Sequence, residues 1–484
     1  MLVILGQAIL FSIQAAIWPQ TRLLMRDRHN DKGNTMAGLF GTDGVRARIN
    51  TGSMTAEAVV RLALAAGRWF ADHNDRSSHA RPIVVIGKDT RLSGYMLESA
   101  LVAGFTSIGL DCRLLGPIPT PAVAHLTRSL RAELGVMISA SHNPHHDNGI
   151  KLFGPDGFKL DDKIESEISA LAAGSILLAD APDLGRARRM LDSVGRYVEF
   201  AKSTLPGRTR LDGLKLVVDC ANGAAYRTAP DTLYELGAEI VPLAVSPDGL
   251  NINENCGAVH PQVMATAVVA HGADAGICLD GDADRLIMAD ETGKIIDGDQ
   301  ILGCLALAMQ ERGTLAKDTV VGTVMTNCGL ETRLGKAGID LHRVAVGDRY
   351  ILEKMRQDGL SLGGEPSGHI LMTDFARSGD GLLTALQMLT LLKTSGKKAS
   401  TLFNSFSPNP QRLENLRGID PAILQDKKLQ SDLANIEANL NGKGRVLVRP
   451  SGTEALVRVM VEAESEALLT EAMDALIMRI TANS

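Results

Sequence analysis

Three aspartates occupy alternate positions in the stretch LDGDADR, residues 279–285. If this stretch is extended, the carboxylates of Asp280, Asp282 and Asp284 face one side and can converge on one cation. Mg²⁺ takes oxygen ligands and leaves room for a phosphate oxygen, so the pattern predicts a magnesium site. Without a cation or the guanidinium of Arg285, carboxylates this close would repel one another.

Two other chemistries fit part of the aspartate pattern. An EF-hand calcium loop also alternates acidic residues, and Glu291 falls at its twelfth position. However, Arg285 stands where that loop needs glycine, and a strand-like run precedes the aspartates where an EF-hand has a helix. A phosphatase that uses the first aspartate, Asp280, as its nucleophile fits better and is kept as an alternative.

Two serines, Ser139 and Ser141, end the apolar run of GVMISASHNPHHDNGIKLF, residues 135–153. Pro144 opposes a helix at this turn, and Lys151 adds an ammonium a few residues on. The histidines of the turn lack the spacing of metal ligands, and we expect His145 and His146 to be solvated. A hydroxyl and an ammonium therefore follow a predicted strand.

The stretch RPSGTE, residues 449–454, gathers hydrogen-bond donors suited to a phosphate. Guanidinium forks and hydroxyls can donate to the anion, and glycine lets backbone N–H groups approach it. The predicted phosphate ligands are Arg449, Ser451, Gly452, Thr453 and Arg458. A polar hairpin loop without a ligand is the simpler alternative.

A further polar loop, GGEPSGH at residues 363–369, offers an acceptor, a hydroxyl and a titratable ring in Glu365, Ser367 and His369. These groups suit sugar hydroxyls or an amine, although such a loop alone is a weak indication. The sequence has no glycine-lysine pair followed by Ser or Thr and no GxGxxG that opens a helix, so ATP or NAD binding is not supported.

Short runs rich in Val, Ile and Leu precede most of these polar loops, and runs of this kind suit strands buried on both faces. Helix-period segments such as SGYMLESALVAGFTSIG, residues 93–109, alternate with them. The alternation predicts α/β units with parallel strands, whose carboxyl ends collect ligands. The predicted strands lie in PIVVIGKDTR, GVMISASHN, LKLVVDCANG, DAGICLDGDADR and TVVGTVMTNCGL.

A weak internal repeat recurs in IGLDCRLLGPIP, LGAEIVPLAVSP and AGIDLHRVAVGD, which start at residues 108, 236 and 337. Three copies predict three similar α/β domains in series. The C-terminal stretches GRVLVRPSGTEALVRVMVEA and SEALLTEAMDALIMRI predict two strands around a loop and then an amphipathic helix. A smaller fourth domain of another type is therefore expected.

The chain has 484 residues, more than one hydrophobic core usually organises, and a net charge of −6 without a long basic block argues against nucleic acid as the main partner. Its six cysteines form no CxxC pair and suit buried thiols in a reducing compartment. Residues 1–35 begin with an uncharged apolar run. We expect these residues to be an upstream extension of the reading frame and the enzyme to start near Met36. A membrane anchor is the alternative.

Six motifs in this order resemble those of the α-D-phosphohexomutase superfamily. The resemblance runs from about Phe40 to the C-terminus and is closest to members that act on glucosamine phosphates. The motifs are FGTDGVR (40–46), SASHNP with NGIK (139–151), DGDADR (280–285), VGDRY (346–350), GEPSGH (364–369) and RPSGTE (449–454).

The resemblance implies an α/β fold with three similar domains of mixed, mostly parallel sheets and a smaller C-terminal α+β domain, all around one cleft. Each domain supplies one loop to the cleft. The implied divisions are 36–200 with the phosphoserine loop, 201–293 with the metal loop, 294–408 with the sugar-recognition loop and 409–484 with the phosphate-binding loop.

The same resemblance implies roles for individual residues. Ser141 is the expected phosphoserine, and with Asp280, Asp282 and Asp284 it would bind one Mg²⁺ per active site. Lys151 and Arg46 would offset charge on the transferring group. The 364–369 loop would meet the sugar, the 449–454 loop would hold the phosphate that does not react, and the general acid/base would be His369 or Lys151.

The implied reaction interconverts glucosamine 6-phosphate and glucosamine 1-phosphate, which feeds the synthesis of UDP-N-acetylglucosamine and cell-wall precursors. Glucosamine 1,6-bisphosphate would form as the intermediate and turn over before Ser141 is phosphorylated again. A phosphomannomutase/phosphoglucomutase of the same superfamily is the alternative. We expect a cytoplasmic enzyme whose partner is a small phosphosugar, with a homodimer as the candidate assembly and no membrane attachment.

Overall fold

The computed structural model describes residues 39–41, 44–73, 81–440, 442–450 and 456–482. Four sheets follow one another along this part of the chain. The predicted extension at residues 1–35 lies outside the described residues. Among the residues that the structure describes, no helix has the length and apolar content needed to cross a membrane.

The first sheet has six strands in the order β1-β5-β4-β2-β3-β6. Strands β2, β3, β4 and β6 run parallel, whereas β5 is antiparallel to both β4 and β1. The strands are β1 (Val45–Arg48), β2 (Ile83–Lys88), β3 (Asp111–Pro117), β4 (Leu134–Ile138), β5 (Asp147–Phe153) and β6 (Ala187–Arg189), and the helices are α1 (Ala56–Asp72), α2 (Gly94–Ser107), α3 (Thr120–Ser129), α4 (Asp162–Ala173) and α5 (Ser193–Ser203).

The second sheet has the order β11-β10-β9-β7-β8, with β8, β7 and β9 parallel and the other neighbours antiparallel. Its elements are β7 (Lys215–Asp219), α6 (Thr228–Glu235), β8 (Glu239–Leu243), α7 (Gln262–His271), β9 (Ala275–Leu279), β10 (Leu286–Asp290) and β11 (Ile295–Ile296).

The third sheet has the order β13-β12-β14-β15, and only its last pair is antiparallel. Its elements are α8 (Gly298–Glu311), β12 (Thr319–Thr323), α9 (Cys328–Lys336), β13 (Asp340–Val344), α10 (Asp348–Asp358), β14 (Leu362–Gly364), β15 (Ile370–Met372), α11 (Gly381–Ser395) and α12 (Ala399–Leu402).

These three sheets share one strand arrangement. Each contains three parallel strands followed by an antiparallel fourth, in the orders β3-β2-β4-β5, β8-β7-β9-β10 and β13-β12-β14-β15. The three copies of the sequence repeat fall on the equivalent strands β3, β8 and β13. The prediction of three similar α/β units with mixed, mostly parallel sheets is therefore confirmed.

The C-terminal sheet is smaller and wholly antiparallel, with the order β16-β18-β17. It has its own hydrophobic cluster, which includes Leu429, Val459 and Leu476. Its elements are β16 (Gln411–Arg417), α13 (Lys427–Asn439), β17 (Gly444–Pro450), β18 (Leu456–Ala463) and α14 (Glu466–Ala482). The two predicted strands and the final helix are confirmed, whereas β16 and α13 were not predicted.

Local sequence fixes several helix ends. The residue before each of six helices accepts a hydrogen bond from a backbone N–H of the first turn, as Thr55 does from Ala58. The other five caps are Asp161, Asp297, Asn327, Asp380 and Asp426. Short 3-10 helices complete the described elements at Gly52–Met54, Ala181–Asp183, Pro206–Arg208, Ala316–Asp318 and Pro421–Gln425.

The central strands are buried along their whole length, as the apolar runs predicted. Strands β4, β9 and β12 have no exposed residue, because helices cover both faces of their sheets. The fourth-strand hairpins then leave three polar loops at the carboxyl ends of β4, β9 and β14. These loops contain the serine, aspartate and GEPSGH motifs.

Candidate active site

Ser141 lies just beyond β4, in the hairpin loop that leads to β5. Its side chain is buried, and its Oγ donates a hydrogen bond of 2.7 Å to Oδ2 of Asp280. Asp280 directly follows β9 in the second sheet. The hydroxyl and the first aspartate, which belong to separate motifs, thus meet at one point.

The three aspartates form a buried cluster. One carboxylate oxygen from each of Asp280, Asp282 and Asp284 lies within 4.8 Å of the others. The predicted convergence is correct, but the predicted extended backbone is not. Residues 280–285 form a turn between β9 and β10, and Ala283 has a left-handed φ of 60°. The turn, rather than strand alternation, brings the carboxylates together.

Lys151, on β5, supplies positive charge to this cluster. Its Nζ lies 2.9 Å from Oδ2 of Asp282 and 3.2 Å from Oδ2 of Asp284. Thr120, at the start of α3, donates a second hydrogen bond of 2.5 Å to Oδ2 of Asp282. The side chains around the aspartates therefore orient one oxygen of Asp282 and leave the other for a ligand.

The remaining oxygens fit a divalent cation. Oδ1 of Asp282 and Oδ1 of Asp284 are buried and have no hydrogen-bond partner. Burial, followed by the charges of Asp284 and Asp282, raises the pKa of Asp280 to about 8. Burial opposes the charged form of Asp284 as well, but the charges of Lys151, His369 and Arg285 outweigh burial and hold its pKa well below the usual range. The shortage of positive charge therefore lies at Asp280, where a hard cation with a preference for oxygen would supply it.

His369 lies next to the cluster, between two carboxylates. Its Nδ1 is 3.7 Å from Oδ1 of Asp284, and its Nε2 is 3.5 Å from Oδ2 of Asp348. Burial alone would lower the pKa of this imidazole, but the two carboxylates outweigh burial and raise it. His369 is thus held as a potential proton donor beside the predicted metal ligands.

Glu365 and Ser367 lie in the loop between β14 and β15. The carboxylate of Glu365 accepts hydrogen bonds from the backbone N–H of Gly347 at 2.9 Å and from the hydroxyl of Ser367 at 3.0 Å. The negative charges of Asp280, Asp284 and Glu365 all favour the charged form of Arg285. Arg285 therefore connects the aspartate cluster electrostatically with the predicted sugar loop.

Arg46 lies on β1, opposite Gly149 of β5. Burial, then the positive charges of Arg285 and Arg46, lower the pKa of His142 to about 4. His142, which follows Ser141, is therefore neutral near pH 7, and Arg46 is close enough to the serine loop to influence its charge. The next two histidines of the turn, His145 and His146, are exposed, as expected.

Arg449 and Arg458 are directly opposite each other on β17 and β18. Like charges at such positions repel, and burial together with Arg458 lowers the pKa of Arg449. An anion between the two guanidiniums would remove this repulsion. The other predicted phosphate ligands, Ser451, Gly452 and Thr453, lie outside the described residues.

Two residues that support the site carry no sequence signal of their own. Thr120 orients Asp282, and Asn253 donates from its Nδ2 to the carbonyl oxygens of Ser141 at 3.0 Å and Asn143 at 3.2 Å. Thr120 stands among prolines and apolar residues, whereas Asn253 is one of several polar residues in NINEN, residues 251–255. Only their positions, just beyond β3 and in the polar stretch after β8, could have marked them.

Gly281 lets the serine loop and the aspartate loop, residues 280–285, approach closely. A Cβ at this position would lie 2.5 Å from the carbonyl oxygen of Ser141 and 2.8 Å from Nδ2 of Asn253. Gly281→Ala is therefore expected to push Ser141 away from Asp280 and to lower kcat by about 100-fold, since displacements near 1 Å have effects of this size. Steady-state kinetics on folded protein measures this.

Gly195→Ala is the matched control for this substitution. Gly195 lies in α5, where an added Cβ would meet no atom within 4 Å. The control should keep its activity. A Gly281→Ala enzyme with unchanged kcat would show that the close contact does not set the position of Ser141.

Family models of phosphoglucomutase/phosphomannomutase match nearly all of the described chain. Alpha/beta/alpha domain I matches residues 37–176, domain II 195–293, domain III 297–409 and the C-terminal domain 411–478. Each of the first three models covers one of the hairpin loops described above.

Similar proteins extend over almost the same length. A phosphoglucosamine mutase of Paracoccus denitrificans is 57% identical over 445 residues, which are 91% of this chain and 98% of that protein. A crystal structure of a phosphoglucomutase/phosphomannomutase family protein from Burkholderia thailandensis has a TM-score of 0.78 at 25% identity and covers 93% of this chain and 98% of its own.

A more distant structure shares the fold. It is N-acetylphosphoglucosamine mutase of Aspergillus fumigatus in complex with GlcNAc-6P and magnesium, with a TM-score of 0.62 at 18% identity. The match covers 91% of this chain and 96% of that one.

Proposed function

The chain belongs to the phosphoglucomutase/phosphomannomutase family, and we propose that it interconverts glucosamine 6-phosphate and glucosamine 1-phosphate through a phosphoserine at residue 141. The family membership confirms the superfamily predicted from the six motifs. The observation that carries the proposal is the 2.7 Å hydrogen bond from Oγ of Ser141 to Asp280, inside the aspartate cluster. The 57% identity with a phosphoglucosamine mutase supports the choice of sugar.

The first half of the reaction transfers the phosphoryl group from Ser141 to the sugar. The bond between Oγ and phosphorus breaks as a sugar hydroxyl oxygen bonds to phosphorus, and the hydroxyl proton passes to a general base. In the second half, the bond from the other sugar oxygen to its phosphorus breaks, Oγ of Ser141 bonds to that phosphorus, and the sugar oxygen receives a proton. Glucosamine 1,6-bisphosphate is the intermediate between the halves.

The surrounding side chains suit these steps. Asp280, Asp282 and Asp284 would hold Mg²⁺, which would neutralise charge on the transferring phosphoryl group when bound. The ammonium of Lys151 lies against the same aspartates and adds to that neutralisation. His369, between Asp284 and Asp348, and Lys151 both lie against the aspartate cluster and are the two candidates for the general acid/base.

The substrate's two ends would be recognised by different loops. Glu365, held by Gly347 and Ser367, presents a carboxylate to the 2-ammonium of glucosamine. Arg449 and Arg458, which face each other across two strands, would hold the phosphate that does not react, together with Ser451, Gly452 and Thr453.

The finer assignments belong to the same proposal. They are the domain divisions at 36–200, 201–293, 294–408 and 409–484, one Mg²⁺ per active site, a cytoplasmic location and a homodimer as the candidate assembly. The limits of the family models support the divisions. The aspartate cluster with its two orphaned oxygens supports the metal.

The preferred sugar follows from Glu365 in this proposal. A charge-assisted hydrogen bond to the ammonium is worth about 1.5–3 kcal/mol, which is roughly tenfold to a hundredfold in kcat/KM. We expect kcat/KM for glucosamine 6-phosphate to exceed that for glucose 6-phosphate and mannose 6-phosphate by this factor, and Glu365→Gln to narrow the difference. Side-by-side assays with the three sugars measure it.

Glu98→Gln is the control for Glu365→Gln. Glu98 and Glu365 are equally buried, each 8% exposed, but Glu98 pairs with Lys88. The control should leave the ratio between sugars unchanged. Equal or reversed preference in the unmutated enzyme would move the assignment to a phosphomannomutase/phosphoglucomutase.

A further inference from the structure

Ser141 has a backbone conformation that its own side chain disfavours. Its φ is 52°, in the left-handed region where residues with a Cβ are uncommon. Ser141 stands three residues after the end of β4, where a turn begins. Other groups must therefore hold the loop in place, because the serine would not maintain this conformation by itself.

Arg91, beyond the end of β2, holds the loop through its guanidinium. It is 1% exposed and is the largest of the fully buried side chains in the described part of the chain. Its Nη2 donates to the carbonyl oxygens of Ser141 at 3.0 Å and Asn143 at 2.7 Å, and its Nη1 donates to those of Pro144 at 2.5 Å and Asp147 at 3.2 Å. The four acceptors span the serine loop from end to end.

Asp89 fixes Arg91 and also reaches the backbone of Ser141. Its Oδ2 accepts from Nε of Arg91 at 2.8 Å and from the hydroxyl of Ser139 at 2.6 Å. The Oγ of Ser139 in turn accepts from the backbone N–H of Ser141 at 2.9 Å. Both backbone polar groups of Ser141 are thus connected to the Asp89–Arg91 pair.

The second sheet contributes another donor to the same carbonyl groups. Nδ2 of Asn253 donates to the carbonyl oxygens of Ser141 and Asn143, so that each accepts one hydrogen bond from Arg91 and one from Asn253. The carbonyl oxygen of Ser141 therefore has both lone pairs occupied. This leaves the side chain of Ser141 directed to Asp280.

We propose that Arg91 is a positioning residue that fixes Oγ of Ser141 opposite the aspartate cluster in both halves of the reaction. The inference rests on the proposed function, in which Ser141 carries the phosphoryl group. The guanidinium of Arg91 contacts Asp89 and backbone carbonyl oxygens of the serine loop and would touch neither substrate nor phosphoryl group. It acts through the loop backbone, and a planar guanidinium is required because one group must reach Asp89 and four carbonyl oxygens together.

Arg91→Lys tests the proposal, because lysine keeps the charge but loses the planar fork. We expect kcat to fall by about 100-fold, with KM changed by less than about threefold, since the substrate contacts stay while the reacting oxygen is displaced. Phosphoserine formed in advance should also be lost more slowly on addition of glucosamine 6-phosphate, as followed by mass spectrometry of quenched samples.

Arg61→Lys is the matched control. Arg61 also donates to backbone carbonyl oxygens, those of Ala172 and Gly174, but it lies at the contact of α1 with the end of α4. The control should lose stability without losing kcat. Asn253→Ala, which removes the second donor and leaves Arg91, should lower kcat by about tenfold and keeps the test valid if Arg91→Lys does not fold.

Three outcomes would overturn the proposal: an Arg91→Lys enzyme with kcat within threefold of the unmutated enzyme, a loss that appears only in KM, or an equal loss of kcat in Arg61→Lys. Failure of the proposed function would be seen separately, as absence of glucosamine phosphate turnover in the unmutated enzyme. If that enzyme turns over another hexose phosphate, the comparison of variants is made with that sugar.

Discussion

Replacing Ser141 with alanine is expected to lower mutase turnover by at least about 1,000-fold, because no side chain then carries the phosphoryl group between the two sugar positions. The fold should persist, since only the Oγ that bonds to Asp280 is lost. Release from this hydrogen bond leaves the backbone contacts to Arg91 and Asn253 in place. Turnover of glucosamine 6-phosphate and thermal unfolding, measured together, separate catalysis from stability.

Ser169→Ala serves as the control for Ser141→Ala. Ser169 is also buried, but its hydroxyl donates to the carbonyl oxygen of Glu165 within α4, away from the aspartates. We expect its turnover to stay within about twofold of the unmutated enzyme. Substantial turnover in Ser141→Ala would mean that another group carries the phosphoryl group.

Removal of the metal should have the next largest effect. Chelation is expected to abolish turnover and added Mg²⁺ to restore it, because the ammonium of Lys151 alone would not neutralise both the buried carboxylates and the transferring group. Asp282→Asn removes a charge from the centre of the cluster and leaves Lys151 with one carboxylate, Asp284, at full charge. We expect a loss of about 100-fold or more at saturating substrate, with weaker Mg²⁺ binding by calorimetry.

Asp290→Asn is the control for the metal variant. Asp290 is likewise buried, lies on β10 in the same sheet, and accepts through Oδ1 from Thr292 and Lys294, which an asparagine can still do. Its Mg²⁺ response should be unchanged. If Asp282→Asn keeps full activity and full Mg²⁺ affinity, the aspartates are not the metal site.

The buried strands and the convergence of the motifs could be predicted from the sequence. Runs such as those of β4 and β9 are apolar throughout because both faces of these strands are buried. A short apolar run of this kind is typical of a strand covered by helices on both faces. Since the carboxyl ends of such strands collect ligands, the serine and aspartate motifs that follow them were expected to meet. The hydrogen bond from Ser141 to Asp280 shows that they do.

Other features depended on contacts between distant segments. Strand β16 is mostly exposed and lacks an apolar pattern, and it forms only because β18 offers an edge for pairing. The extended backbone assigned to residues 280–285 was wrong because alternation of aspartates does not determine φ, and Ala283 adopts a left-handed turn. Arg91 and Asn253 could not be distinguished from the polar residues beside them, because their partners lie about 50 and 110 positions away in the chain.

The location of the covalent phosphate shows which side chain carries the phosphoryl group. Enzyme incubated with glucosamine 1,6-bisphosphate should gain the mass of one phosphoryl group, and peptide mapping should place it on Ser141 as an acid-stable phosphoserine. The Ser141→Ala protein should gain none. A hydroxylamine-labile phosphoryl group on Asp280 would exclude Ser141 as the carrier and favour the aspartate-nucleophile phosphatase.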